Sequence, residues 1–147
     1  TVVDKEHKIF LIGCFITVSV IAYLLNWNFD SMADTATTLV SIAVGVYIAA
    51  ASALLGSPYA KELKQTTDKK RTSNTLLGTL LDYFRHAGKL GITTVIVSCL
   101  YKIPATYNVP IIIARIGSAA AYGIFFCNIL FLWLVFVFLV NSIEKSV

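Results

Sequence analysis

The chain has 147 residues, 57 % of them hydrophobic and only 14 % charged, with a formal net charge of +4. Soluble domains carry about a quarter charged residues, so this deficit argues against a water-soluble fold and for an all-α integral membrane protein. Its basic residues sit beside apolar runs and are not interleaved with aromatics, so they read as setting orientation in a membrane rather than binding nucleic acid.

In chain order, the first apolar run is Ile9–Leu25, without a charge, and it predicts a first span over about 9–25. Thr17 and Ser19 within it can bond back to their own helix. Tyr23, Trp27 and Phe29 stand at its far end as an aromatic belt would. Lys5 and Lys8 followed by this run resemble a signal peptide. However, Asn26–Asp34 offers no small-x-small cleavage site and more spans follow, so the helix is expected to be retained. The sequence begins at Thr1, and an initiator residue with a short leader is expected ahead of it.

Asn26–Asp34 reads as a short polar turn, and a second uncharged span follows over about 35–56. Residues 57–74 read as a basic cytoplasmic loop carrying Lys61, Lys64, Lys69, Lys70 and Arg71. Thr75–Tyr101 predicts one helix, about 40 Å long at about 1.5 Å per residue. Its first part, 75–86, is amphipathic: Leu76, Leu77, Leu80, Leu81 and Phe84 share one face, and Asp82, Arg85, His86 and Lys89 share the other. Only the part near 87–103 suits a bilayer, so the amphipathic half is expected at or below the cytoplasmic surface. An outer turn with Pro104, Tyr107 and Pro110 leads to a fourth span over 111–140. That run is about 45 Å if helical, more than a hydrocarbon core of about 30 Å, so it must tilt or protrude.

Lys5, Lys8, Lys61, Lys64, Lys69, Lys70, Arg71, Arg85, Lys89 and Lys145 then fall on one side, and Lys102 and Arg115 on the other. The excess of basic residues marks the cytoplasmic face, which places both termini and the middle loop there. The whole chain is one domain of four transmembrane helices, the third and fourth long.

Several residues invite a functional reading. Ser41, Gly45, Ala49, Ala53 and Ser57 recur every fourth position in the second span. Small residues at that spacing let helices approach closely, either within one protomer or across a homo-oligomer seam. Gly117, Ser118, Ala119, Ala120, Ala121 and Gly123 make a second small surface, and two such surfaces favour a homo-oligomer with Gly117 and Ala121 in its packing. Arg115 lies one turn into the fourth span, where it either snorkels outward, pairs with Asp30 or Asp34, or contacts a ligand or pore. Asn128 lies near the middle of that span and needs a partner, on a neighbouring helix or in an oligomeric ring. Thr37, Thr38 and Ser41, with Thr93, Thr94 and Ser98, could line a weakly polar path. The basic set of Lys61, Lys64, Lys69, Lys70, Arg71, Arg85 and Lys89 suits anionic lipid headgroups or a cytosolic protein partner. Cys14, Cys99 and Cys127 lie in apolar runs and read as small packing residues. No catalytic constellation, metal-ligand spacing or phosphate-cradling glycine loop is present, so neither an enzyme nor a cofactor is expected.

The stretch IAAASALLGSPYAKELK, Ile48–Lys64, resembles the second-helix exit of the Rex B type of phage-exclusion membrane protein: a small-residue helix, an apolar-Gly-Ser turn, then a basic amphipathic segment. Length and a four-span layout are similar too. The resemblance implies a bacterial inner-membrane component of anti-phage defence that lets ions through when a cytosolic sensor signals. The membrane subunit of the Kiwa defence system has a comparable layout, which implies instead a scaffold or sensor holding a cytosolic effector. No span here carries the regular polar stripe of a channel.

Overall fold

The computed structural model describes residues 5–68, 71–103 and 109–144, with side chains described for 8–67, 75–103, 109–137 and 140. The described chain is helical apart from one short ribbon. Five helices follow one another: α1 (Lys5–Leu24), α2 (Ala33–Gly56), α3 (Tyr59–Gln65), α4 (Leu76–Lys102) and α5 (Ile111–Glu144).

Sequence chemistry accounts for the boundaries. Asn26 takes a positive φ of 58°, a conformation Asn tolerates better than most residues, and this turns the chain out of α1. Asn28 then caps a 3-10 turn, Phe29–Met32, its side chain accepting from the Asp30 amide, and α2 continues directly from that turn. The expected polar turn is thus itself largely helical, and α2 starts two residues before the expected Thr35. At its other end α2 stops at Ser57, just before Pro58. Thr75 caps α4, its hydroxyl accepting from the Gly78 amide at 3.2 Å, and Pro110 immediately precedes α5, where its fixed φ suits a helix start.

The basic loop expected over 57–74 is folded. It forms α3 and an antiparallel ribbon of β1 (Thr67–Asp68) with β2 (Arg71–Thr75). Leu63 anchors α3 by being buried, while Lys61 and Lys64 face outward.

Two helical runs are long and apolar enough to cross a membrane: Phe29–Gly56, with mean hydropathy 2.1, and Ile111–Val137, with 2.2. Lys8–Leu24 is a shorter apolar helix. Only 17 % of the most apolar window of the first run, and 44 % of the second, is buried inside protein, whereas the core helix of a soluble domain would be mostly covered. The outside is accordingly rich in large apolar groups. Ile9 on α1, Ile42 on α2, Ile96 on α4 and Trp133 on α5 are each more than half exposed. The interior also holds polar groups, since Thr79, Thr94, Ser98, Ser118 and Asn128 are all buried.

The helices pack in the order α1–α5–α4–α2. α1 lies along α5, α5 along α4, and α4 along α2. Although joined by a short turn, α1 and α2 share no extended contact among the described residues. At the end carrying the Asn26–Asn28 turn (the turn end), Ala22, Phe29, Ala36, Val40, Ala121, Tyr122 and Phe125 form one cluster. Towards the end carrying α3 (the loop end), Ala43, Tyr47, Leu80, Tyr83, Phe84, Ala87, Phe131 and Val135 form another. The amphipathic half of α4 is therefore packed on α2 and α5 and does not project freely: Leu80, Tyr83, Phe84 and Ala87 belong to this second cluster.

Candidate polar site and interaction faces

At the turn end, Phe29 is fully buried, contrary to the belt position its sequence neighbours suggest. Its ring meets Tyr101 and Tyr122 edge-on at 5.3 and 5.2 Å, and its amide donates to the Ser118 hydroxyl at 3.4 Å. The Tyr122 hydroxyl donates to the Asn28 carbonyl at 3.3 Å, which ties the turn to α5. Tyr23 and Trp27 stay exposed, as a belt requires. Asn26, Trp27, Asn28, Ser31, Met32, Tyr122 and Phe126 line an open cleft of about 480 Å³ beside them.

The carboxylates at this end pair with Lys102. Its ammonium lies 3.0 Å from Asp34 and 3.8 Å from Asp30. Arg115, for which pairing with the same aspartates is one of the alternatives, sits in the exposed stretch Ile111–Ile116 and has no ion pair among the described residues. The reason is geometric: α5 brings Gly117, not Arg115, beside the end of α4, where a Cβ on Gly117 would lie 2.7 Å from the Tyr101 hydroxyl.

Midway along the bundle, Asn128 donates its amide N–H to the Thr94 hydroxyl at 2.9 Å, joining α5 to α4. Thr94 donates in turn to the Leu90 carbonyl of its own helix, also at 2.9 Å. A side-chain bond between helices away from water contributes about 0.6–2 kcal/mol. Gly91 makes room here, because any Cβ would overlap the Val44 side chain of α2. Of the other hydroxyls proposed for a polar path, Ser98 is buried one turn beyond Thr94, and the rest are not gathered with these two. Thr37, Thr38 and Thr93 bond back to the carbonyls of Ala33, Asp34 and Lys89, and Thr38, Ser41 and Thr93 face outward.

The two small-residue surfaces part company. Ser41, Gly45, Ala49 and Ala53 are all exposed, on the face of α2 opposite its contact with α4, and nothing lies within 4 Å of a Cβ built on Gly45. Gly117, Ala121 and Gly123 are used inside the protomer. Ala121 is 2 % exposed, Gly117 abuts Tyr101, and a Cβ on Gly123 would overlap Ser19 and Phe15 of α1. Gly117 and Ala121 thus pack within the protomer, and of the residues expected in an oligomer seam Ser41, Gly45, Ala49 and Ala53 face outward. Ser57 is half-buried and bonds the Leu54 carbonyl.

The exposed basic residues Lys8, Lys61, Lys64, Arg85 and Lys89 lie on α1, α3 and α4, with Lys89 at mid-length of α4. Arg85 pairs with Asp82 at 3.1 Å, an exposed i,i+3 contact of little energetic weight. Lys69 and Lys70, the Arg71 side chain, and Pro104 with Tyr107 lie outside the described residues. Of the cysteines, Cys127 is buried and contacts the Leu11 carbonyl at 3.4 Å, Cys14 is half-buried, and Cys99 faces outward rather than packing inside. Among the described residues no group of three or more His, Cys, Asp or Glu side chains could hold a metal ion.

These features describe a helical protein with two helices able to cross a membrane, an apolar exterior and a polar seam inside. Compared with known protein families, curated proteins and solved structures, the chain matches none.

Proposed function

We propose that the chain is a four-span membrane protein with both termini cytoplasmic, and that it assembles through α2 to sense or perturb the bilayer. The observation that carries the membrane part is the distribution of exposed groups. Large apolar side chains face outward on all four long helices, α1 and α4 included. Exposed charge flanks this surface, with Lys8, Lys61, Lys64 and Arg85 on the loop-end half, Lys89 reaching mid-length of α4, and Lys102 with Asp30 and Asp34 at the turn end. An apolar belt between two charged ends is what lipid demands of a protein surface. The basic end is then cytoplasmic and meets anionic headgroups.

Assembly is supported by the outward small stripe, Ser41, Gly45, Ala49 and Ala53, which offers another helix a close approach that lipid does not exploit. The resemblance of Ile48–Lys64 to the Rex B type adds the biological setting, anti-phage defence at a bacterial inner membrane. Inducing the chain alone while following membrane potential with a dye tests this reading. Depolarisation is expected, and Gly45→Leu should abolish it together with the oligomer seen by native mass spectrometry. An unchanged oligomer in that variant removes α2 as the seam.

A second reading rests on the exposed Lys61 and Lys64 of α3, a helix that packs on α4. There the chain is a scaffold whose basic end recruits a cytosolic protein. Silence of the potential dye, with capture of one soluble partner that is lost in Lys61→Glu/Lys64→Glu, favours it.

A further inference from the structure

The polar seam between α4 and α5 is incompletely satisfied by protein. Asn128 is 2 % exposed, Ser98 1 % and Tyr47 3 %, yet the Asn128 Oδ1, the Ser98 hydroxyl and the Tyr47 hydroxyl have no hydrogen-bond partner among the described residues. These three groups come from three helices, and Asn128 stands between the other two along the bundle. Asn128 bonds Thr94, and its amide nitrogen would stand 3.9 Å from a Cβ on Gly91. Ser98 lies one turn beyond Thr94 on α4. Tyr47 lies one turn from Val44, which presses on Gly91 from α2.

Rotating the Asn128 amide does not cure the deficit. Thr94 already donates to Leu90, so an exchanged amide would trade one stranded carbonyl for a stranded NH2. A stranded buried polar group loses its bonds to water without replacement, and a cluster of them costs more than the Asn128–Thr94 bond can offset. A carboxylate-lined cation site is not available, because no acidic side chain belongs to this group. An apolar guest would leave every one of these oxygens stranded. Water fits: it donates to a carbonyl oxygen, donates to or accepts from a hydroxyl, and buried waters typically make about three such bonds.

We propose that the junction of α2, α4 and α5 around Asn128 is an internal hydration site. Ordered water donates to Asn128 Oδ1 and continues the hydrogen bonding to the Ser98 hydroxyl, one turn beyond Thr94. The α4–α5 contact is then a wet seam between drier ones. This holds independently of whether the chain conducts ions or recruits a partner.

Water-edited solid-state NMR on the full chain in lipid bilayers, with asparagine and serine labelled, tests it. Magnetisation from water should reach the Asn128 side-chain amide at a rate near that of the exposed Asn26 and Asn28, and well ahead of the backbone around buried Ser118. Transfer to Asn128 as slow as to Ser118 overturns the proposal. In Asn128→Leu, which removes the main acceptor, transfer to Ser98 should fall severalfold. Undiminished transfer to Ser98 there overturns the shared site.

Discussion

Two stretches of this chain look alike in composition and behave as opposites. Ser41–Ala53 and Gly117–Gly123 both present small residues at helical spacing, yet the first faces away from the bundle and the second is buried in it. Their neighbours across space make the difference. α5 meets bulky groups that need the room, Tyr101 from α4 and Phe15 with Ser19 from α1. α2 turns Ala33, Ala36, Val40, Ala43 and Tyr47 toward α4 instead, which leaves its small stripe on the far side. A small residue thus marks where something can come close, and its partner has to be found elsewhere in the chain.

Substitutions can break or sharpen this contrast. The largest effect is expected for Gly123→Leu, whose side chain has no space against Phe15 and Ser19. Loss of the α1–α5 contact should appear as loss of folded protein in a detergent unfolding titration, while a near-normal transition would mean α1 sits elsewhere. Gly91→Ala comes next, because a single Cβ already overlaps Val44. Overpacking of this kind costs about 1–3 kcal/mol, read as an earlier unfolding midpoint. Gly117→Ala is milder, about 1 kcal/mol or less, since the group it meets is the far tip of Tyr101, and a Tyr101→Phe background should relieve it. Gly45→Ala is expected to leave the protomer unharmed or to stabilise it by up to about 1 kcal/mol through helix propensity. A clear loss at Gly45 in dilute detergent would show that the stripe is covered within the protomer, which would end the contrast.

Much of the helical layout was legible in advance. The extent of α4 follows from its two faces, and Asn128 announces a helix-to-helix bond because an amide in an apolar run needs a partner. What pairs with what was not legible. Asp30 and Asp34 are reached by Lys102 rather than Arg115 because that choice depends on the relative height of α4 and α5, which no single helix encodes. Phe29 and Trp27 read alike as belt aromatics, and only the 3-10 turn capped by Asn28 sends one inward and leaves the other out. The loop 57–74 hid a short helix because Leu63 is its one deeply buried anchor among polar residues. The fate of each small stripe rested on its partner helix in the same way.

The pairing of α1 with α5 also bears on how the protein is made. The contact between Cys127 and Leu11 joins residues 116 apart, so α1 finds its main partner in α5, which is made much later. At about 5–20 residues per second, roughly 6 to 23 s of translation separate the two. Throughout that interval the face of α1 that will receive Gly123 has no protein to cover it. A nascent chain stalled before α5 should therefore leave α1 free for chaperones, insertion factors or another chain's α5, which makes exchange of α1 between copies the natural error of this fold.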